Sequence, residues 1–407
     1  PKRANWEGVT VEKISDREIR FTLKQPYAPF LENTTVGILP KHIWEDAEAE
    51  EFPFSEFNIN PIGSGPYTIK SIKRNSSGIP QYYELEAFDN YSEGKPYITR
   101  LEMKFFPNEE SLVKALENGV VDNINSISPE DAAFLKLNGK EVISTPLPRV
   151  FGVFFNQNQS KALSFKEVRS ALQMVVDREE IITEVLKGYG SEILGPLPPS
   201  AGIRATSSPP IVGTSSEAVI ASAIKLLEKN GWKYDQESGV YQKTVKKEVT
   251  PLSFSISTAD IPELKKTAEL LQKKWRSIGA KVEVKIFESG ALQQNVIRPR
   301  KYDTLLFGQV IGRDLDLFAF WHSSQRNDPG LNIALYANIT ADKLLEAGRN
   351  TTSQPSRIEK YQLFANEIAK DIPAIFLYAP NFTYVLNPNI HDIKIGGEVR
   401  LVSPQRV

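Results

Sequence analysis

Between Gln309 and Asn332 the chain gathers residues able to do chemistry: Gln309, Arg313, Asp314, Asp316, Trp321, His322 and Asn332. Asp314, Asp316 and His322 could serve a hydrolase as acid, base or metal ligands. Carboxylates two apart point the same way on a strand and diverge on a helix. Three ligands so close in sequence, with no fourth nearby, make a weak metal site. The same stretch suits a binding surface. Gly308 and Gly312 let a ligand approach the backbone, Phe307, Phe318, Phe320 and Trp321 offer apolar contact, and the few charges would orient it. A structural reading stands beside both: Asp314 and Asp316 cap the short helix that Leu317 to Trp321 suggests, and Trp321 is a core residue.

The remaining composition narrows these classes. The chain has 407 residues, long enough for two or more domains. Its 41% hydrophobic and 24% charged residues are ordinary for a soluble globular protein, and a net charge of −1 gives no footing for nucleic acid or an anionic membrane. No apolar run approaches the ~20 residues that span a bilayer. With no cysteine there are no disulfides, thiolate sites or thiol nucleophiles. His42, His322 and His391 are too scattered for a zinc motif, so no metal and no cofactor are expected. The first residues lack Met and an apolar leader, which suggests a chain beginning inside a larger protein.

Around the candidate stretch the chain reads as alternating elements. Thr304 to Phe307 is a buried strand. Val9 to Leu23 gives two strands about a turn at Ser15-Asp16-Arg17, with Ile19, Phe21 and Leu23 on a half-buried face. Asn60-Pro61-Ile62-Gly63-Ser64-Gly65-Pro66-Tyr67 forms a compact turn into the strand Tyr67 to Ile72. It lacks the Lys-Ser/Thr of a P-loop, and no helix follows, so a phosphate cradle is rejected. The composition changes near Pro146-Leu147-Pro148. Beyond it come a strand over Arg149 to Asn156, helices over Phe165 to Asp177 and Arg178 to Lys187, and an exposed loop over Ala201 to Gly213. Helix-strand units follow, with helices over Ala218 to Lys229 and Glu263 to Ile278 and strands over Leu252 to Ser257 and Lys281 to Phe287. The helices Ala341 to Arg349 and Arg357 to Asp371 lead to a buried strand over Ala374 to Tyr378. The alternation fits an open α/β lobe.

In series, several motifs resemble the family 5 extracellular solute-binding proteins, the peptide- and nickel-binding components of ATP-binding-cassette (ABC) importers. They are Asn60 to Tyr67; Asn90-Tyr91 with Gly94-Lys95-Pro96-Tyr97; Ala115-Leu116 through Gly119 to Asp122; Phe155-Asn156; Val168 to Leu172 through Asp177-Arg178; Gly231-Trp232; and Tyr302-Asp303 through Asn332. The resemblance implies a two-lobed α/β fold of the periplasmic-binding-protein type (type II, Venus flytrap) with mixed sheets. The chain would cross between lobes twice, near Pro146 to Phe151 and near Tyr378, and ligand would be trapped between them by hinge closure. Residues 1–148 with 378–407 would form a first lobe lacking its N-terminal part, and 149–377 the second.

The same resemblance implies no enzyme but an extracytoplasmic, monomeric binder of a peptide-like or other small solute. It would serve ABC permease subunits and be lipid-anchored through a missing N-terminal segment. Ligand contacts are expected from Gln309, Arg313, Asp314, Asp316, Trp321, Asn332, Phe151, Asn156, Phe307 and Tyr378. Peptide binders of the family place a Trp, then an Asp for the ligand's α-ammonium, in the segment matching Gln309 to Asp316. Here the Trp position is Gln309, and the Asp position falls on Gly312 or Arg313. An arginine fork attracts a carboxylate rather than an amine, which argues against a free-amine dipeptide. The alternatives are the hydrolase built on Asp314, Asp316 and His322, and a non-transport receptor domain on the same fold.

Overall fold

The structure, a computed structural model, describes residues 6–48, 50–201, 215–312 and 315–390 and is mixed α/β. It divides into two compact units, one of residues 6–34 and 146–381, the other of 35–145 and 382–390. The chain passes between them at 34–35, 145–146 and 381–382. Residues 6–34 therefore group with the larger unit, whereas the sequence assigned them to the other lobe.

Strands β1 (Thr10–Ser15) and β2 (Glu18–Thr22) make an antiparallel hairpin. Phe21 packs edge-to-face on Trp6 and Phe30. That trio covers only one end of the hairpin and leaves Ile19 59% exposed, where alternation predicts a half-buried strand.

In the smaller unit β3 (Tyr67–Arg74), β4 (Pro80–Ala87) and β5 (Arg100–Lys104) form an antiparallel sheet, followed by β6 (Asn123–Asn125) and β7 (Glu141–Pro146). Helices Glu109–Glu117 and Pro129–Leu137 begin under side-chain caps from Asn108 and Ser128. The second is absent from the sequence reading because its apolar stripe is thin. Its signal is the Ser128-Pro129 pair, a cap followed by a proline whose missing N–H costs nothing there.

The larger unit is built on β8 (Arg149–Phe155), β9 (Gly190–Glu192), β10 (Lys233–Asp235), β11 (Val240–Val245), β12 (Glu248–Pro251), β13 (Ser253–Ala259), β14 (Lys281–Phe287), β15 (Thr304–Val310) and β16 (Ala374–Leu386). Its sheet runs β14-β13-β15-β8-β16, and β9 also pairs with β16. Strands β13, β14 and β15 are mutually parallel, and β8 is antiparallel to both β15 and β16. The carboxyl ends of the parallel strands and the start of β8 therefore share one edge. In open α/β sheets that edge is where ligands bind.

Two arginines, Arg169 buried and Arg178 half-buried, fix this sheet to its helices. Helix Gln354–Asp371 ends on Ile372, which turns left-handed at φ 51° before Pro373. Its terminal carbonyls would be orphans. Arg169, from helix Lys166–Met174, fills that need: it donates to Ile372 O at 2.9 Å, Asp371 O at 2.8 Å, Leu163 O at 2.8 Å and Ser164 O at 3.0 Å. Burial pulls its guanidinium below the ordinary value, yet four carbonyls satisfy its donors. Arg178 does the same for β16, donating to Phe376 O at 2.8 Å beside the bulge that separates Phe376 from Tyr378.

The small sheet β10-β11-β12, unmarked in the sequence reading, is pinned by Glu167. Its carboxylate accepts from Lys243 Nζ at 2.7 Å and Trp232 Nε1 at 3.3 Å, and the same ammonium lies 4.6 Å from the centre of the Phe165 ring. Burial pushes this carboxyl up, but the hydrogen bonds from Lys243, its own backbone N–H and Trp232 outweigh it and leave the value below the usual 4.5.

Arg169→Ala should lower unfolding free energy by on the order of 3–4 kcal/mol, roughly 1 kcal/mol for each carbonyl left without a donor, read from denaturant midpoints by tryptophan fluorescence. Arg169→Lys should recover only part of it, since one ammonium cannot reproduce the fork. Glu167, with a depressed folded value, stabilises above about pH 4.5 and loses that contribution as pH falls through the folded value. The deficit of Glu167→Gln should therefore be largest near neutral pH and shrink below pH 4.5.

Candidate functional site

The apolar pattern predicts that β15 ends at Phe307, but it continues to Val310 because β8 supplies partners: Gly308 pairs with Phe151 and Gln309 with Val150. Side chains alternate across the sheet. Gly308, Phe151 and Tyr378 thus form a row on one face, while Phe307 and Gln309 point to the other. A Cβ at Gly308 would sit 2.6 Å from the Phe151 ring, so only glycine lets that ring lie over the strand. Phe151 stacks on Tyr378 at 5.1 Å and 13°. Burial pushes the Tyr378 phenol well above its ordinary value, so it stays a neutral hydroxyl.

Gln309 is only 4% exposed, and neither its Nε2 nor its Oε1 has a hydrogen-bond partner. A buried amide with both ends unpaired is costly. It is also equipped to donate to one group and accept from another at once.

The segment after β15 is tied at both ends. Ile311 N donates to Pro148 O at 2.9 Å, and Leu315 turns left-handed at φ 57°, a strained state for a branched side chain. Asp316 Oδ1 then accepts from Phe318 N at 3.1 Å just ahead of the short helix Phe318–Trp321, whose N-cap is Leu317, so Asp316 does not take the N-cap position the structural reading expects. Its carboxylate is also gripped by Arg349, at 3.0 and 2.9 Å from Nε and 2.6 Å from Nη2. The Arg349 guanidinium lies 4.0 Å from the centre of the Phe318 ring and 5.4 Å from that of Tyr27. Burial works to lower its value, but Asp316 overcomes that and holds it above the ordinary arginine range. Arg349 is absent from the sequence-predicted site, because nothing local announces a partner 33 positions away.

The other expected contacts divide by how their polar atoms are used. Asn332 is fully buried and donates to Trp321 O, His322 O and Tyr336 O at 3.2, 3.1 and 2.9 Å while accepting from Tyr336 N at 3.2 Å. Asn156 donates to Arg300 O at 2.9 Å and accepts from the backbone of Asn158 and Gln159 at 3.2 Å. Trp321 is fully buried among Phe154, Tyr336, Phe364 and Phe376, with ring centres 5.8–6.4 Å away. Phe307 is half-buried against the same core. Arg313 and Asp314 lie outside the described residues.

His322 stacks on Phe318 at 4.1 Å, with Nδ1 2.7 Å from Ser324 Oγ and Nε2 3.4 Å from Glu346 Oε1. Asp316 and His322 therefore have separate partners. Among the described residues no group of three His, Cys, Asp or Glu is placed to hold a metal.

Fold and edge together are those of an α/β protein whose sheet can receive a ligand at its carboxyl edge. The chain belongs to the bacterial extracellular solute-binding proteins, family 5, whose middle region matches residues 1–329. It is 30% identical to the oligopeptide-binding protein AppA of Bacillus subtilis (strain 168) over 391 residues, covering 95% of this chain and 69% of AppA. The solved structure of Bacillus subtilis AppA with a nonapeptide superposes with a TM-score of 0.70 at 27% identity, over 99% of this chain and 78% of that one. CtaP, an ABC transporter substrate-binding protein of Listeria monocytogenes, gives 0.76 at 28%, over 95% and 75%. NikZ of Campylobacter jejuni in complex with Ni(L-His) gives 0.72 at 26%, over 97% and 76%. These relatives are binding proteins, and the hydrolase and non-transport receptor alternatives find no support among them. No described helix is long and apolar enough to cross a membrane.

Gln309→Met, close in volume but without the amide, should raise the stability of the ligand-free protein by about 1–2 kcal/mol. It should at the same time abolish the thermal shift produced by a bound solute. Opposite signs in the two measurements mark the amide as a ligand group.

Proposed function

We propose that this chain is the substrate-binding component of an ABC importer that captures a peptide-like solute at the carboxyl edge of the larger unit's sheet. The observation that carries the reading is the Gln309 amide, buried with donor and acceptor both unused. A peptide group presents one N–H and one C=O, which a glutamine amide can match. Phe151, flat over Gly308 and stacked on Tyr378, and the half-buried Phe307 supply the apolar surface at the same edge. The resemblance to AppA, whose solved complex holds a nonapeptide, favours a peptide over a metal chelate.

The ligand's amino end is not held by Asp316, whose charge is compensated by Arg349. With Gln309 at the family's Trp position and Arg313 near its Asp position, the site suits a solute with a neutral or anionic end. We further propose that it acts outside the cytoplasm as a monomer and delivers to permease subunits. Its two lobes would be bounded near residues 34, 146 and 381.

Calorimetric titration with matched pairs of free-amine and N-acetylated peptides tests this. The expected outcome is that acetylation leaves affinity unchanged or improves it. Tight binding confined to free-amine peptides would overturn the proposed ligand end, and no binding by any peptide would overturn the substrate class.

A further inference from the structure

A cavity of about 540 Å³ opens at the amino ends of β13, β14 and β15, the end of the sheet opposite the edge that carries Gln309. From Asp303 to Gln309 the backbone runs roughly 20 Å at ~3.3 Å per residue. Register puts Lys281, Glu283 and Lys285 of β14 on the same face as Ser253 and Ser255 of β13. Asp303, one residue before β15, joins that row: its Oδ2 accepts from Ser255 N at 2.9 Å and from Ser255 Oγ at 2.8 Å. Arg276, the last residue of helix Pro262–Arg276, completes the charged wall.

The wall carries both signs of charge, and they are spent unequally. Glu283 and Lys285 lie 3.5 Å apart and answer each other. The Lys281 ammonium has no partner among the described residues. Arg276 donates only from Nη2, to Val282 O at 3.1 Å, and the rest of its fork is unused. Both bonds to Asp303 fall on Oδ2 and leave Oδ1 open. A simple anion is repelled by Asp303, and a simple cation by Lys281 and Arg276; a molecule bearing both charges satisfies all three. β14 ends the sheet, but Arg276 and Gln272 Nε2, at 2.9 Å, already occupy Val282 O, so this edge is a poor template for an added strand. A discrete small molecule suits it better, and half-buried Val284 gives its apolar body a seat. We infer that this cavity is a second binding site, independent of the proposed one, for a small zwitterion of the α-amino acid class. Lys281 and Arg276 take its carboxylate, and Asp303 Oδ1 takes its ammonium.

The probe is L-leucine, titrated calorimetrically into the 407-residue chain. Beside it run 4-methylpentanoate, which keeps only the carboxylate, and 3-methylbutylamine, which keeps only the amine. Leucine should bind at least tenfold more tightly than either. Lys281→Ala and Arg276→Gln should each weaken it at least fivefold; Lys281 is exposed and unbonded, so its truncation leaves the fold intact. Gln309→Met should keep leucine affinity within twofold of the parent. Amide exchange supplies the location: leucine should slow exchange within 272–285 and leave 305–310 unmoved. The site is overturned by an absence of leucine binding, by equal affinity for a single-charge analogue, or by leucine binding that survives Lys281→Ala and is lost in Gln309→Met. Peptide binding is read in separate titrations, so failure of either site leaves the other standing.

Discussion

The larger unit depends on one requirement: a polar group taken out of water must find a partner inside. Sheet ladders and helices meet most of it, and three guanidiniums meet it at places where those end or break. Arg169 closes four carbonyls where helices end, Arg178 holds the bulge in β16, and Arg349 clamps Asp316. Arginine suits this work because its fork is rigid, always charged and carries five donors, so one side chain can serve several acceptors at fixed angles. The apolar core around Trp321 supplies the driving force, but it is non-directional. The arginines fix the helix ends at Ser164 and Asp371 and the bulge at Phe376.

Against that background the exception stands out. Among the described residues, Gln309 is the amide whose donor and acceptor are both buried and unpaired. Asn332 and Asn156, also buried amides, make several bonds each to backbone carbonyls and N–H groups. The two kinds of amide have the same chemistry and differ only in whether its capacity is spent. That difference separates residues that shape the edge from one that can address a ligand, and it is invisible in residue type alone.

This also explains how far the sequence could be read. Periodicity located β14 to the residue and β13, β15 and the long helices to within a few positions, because burial on one face imposes the pattern directly. The early end assigned to β15 came from treating Gly308 and Gln309 as loop residues. Pairing with β8, a strand some 150 positions earlier in order, overrode their weak strand preference. The sheet β10-β11-β12 escaped because its strands are short and its anchor, Glu167, lies far upstream. The candidate stretch was legible as a region. The division of labour within it was not, since Asp316 and Arg349 meet only after the fold brings residues 33 apart together.

The same long-range pairing leaves Asp316 unsuited to the part the catalytic reading gave it. A carboxylate acting as base or nucleophile needs its lone pairs free toward substrate, and one acting as a metal ligand needs its charge uncompensated. Asp316 has neither: one oxygen accepts from the Phe318 backbone and both lie against Arg349. His322, which would have to be its partner, is stacked on Phe318 and directed to Ser324 and Glu346. A binding protein has the opposite need. It must hold its edge still and keep a small number of hydrogen-bonding groups unspent, so that the ligand completes them. In the proposed function the hydrogen-bonding group kept unspent is Gln309.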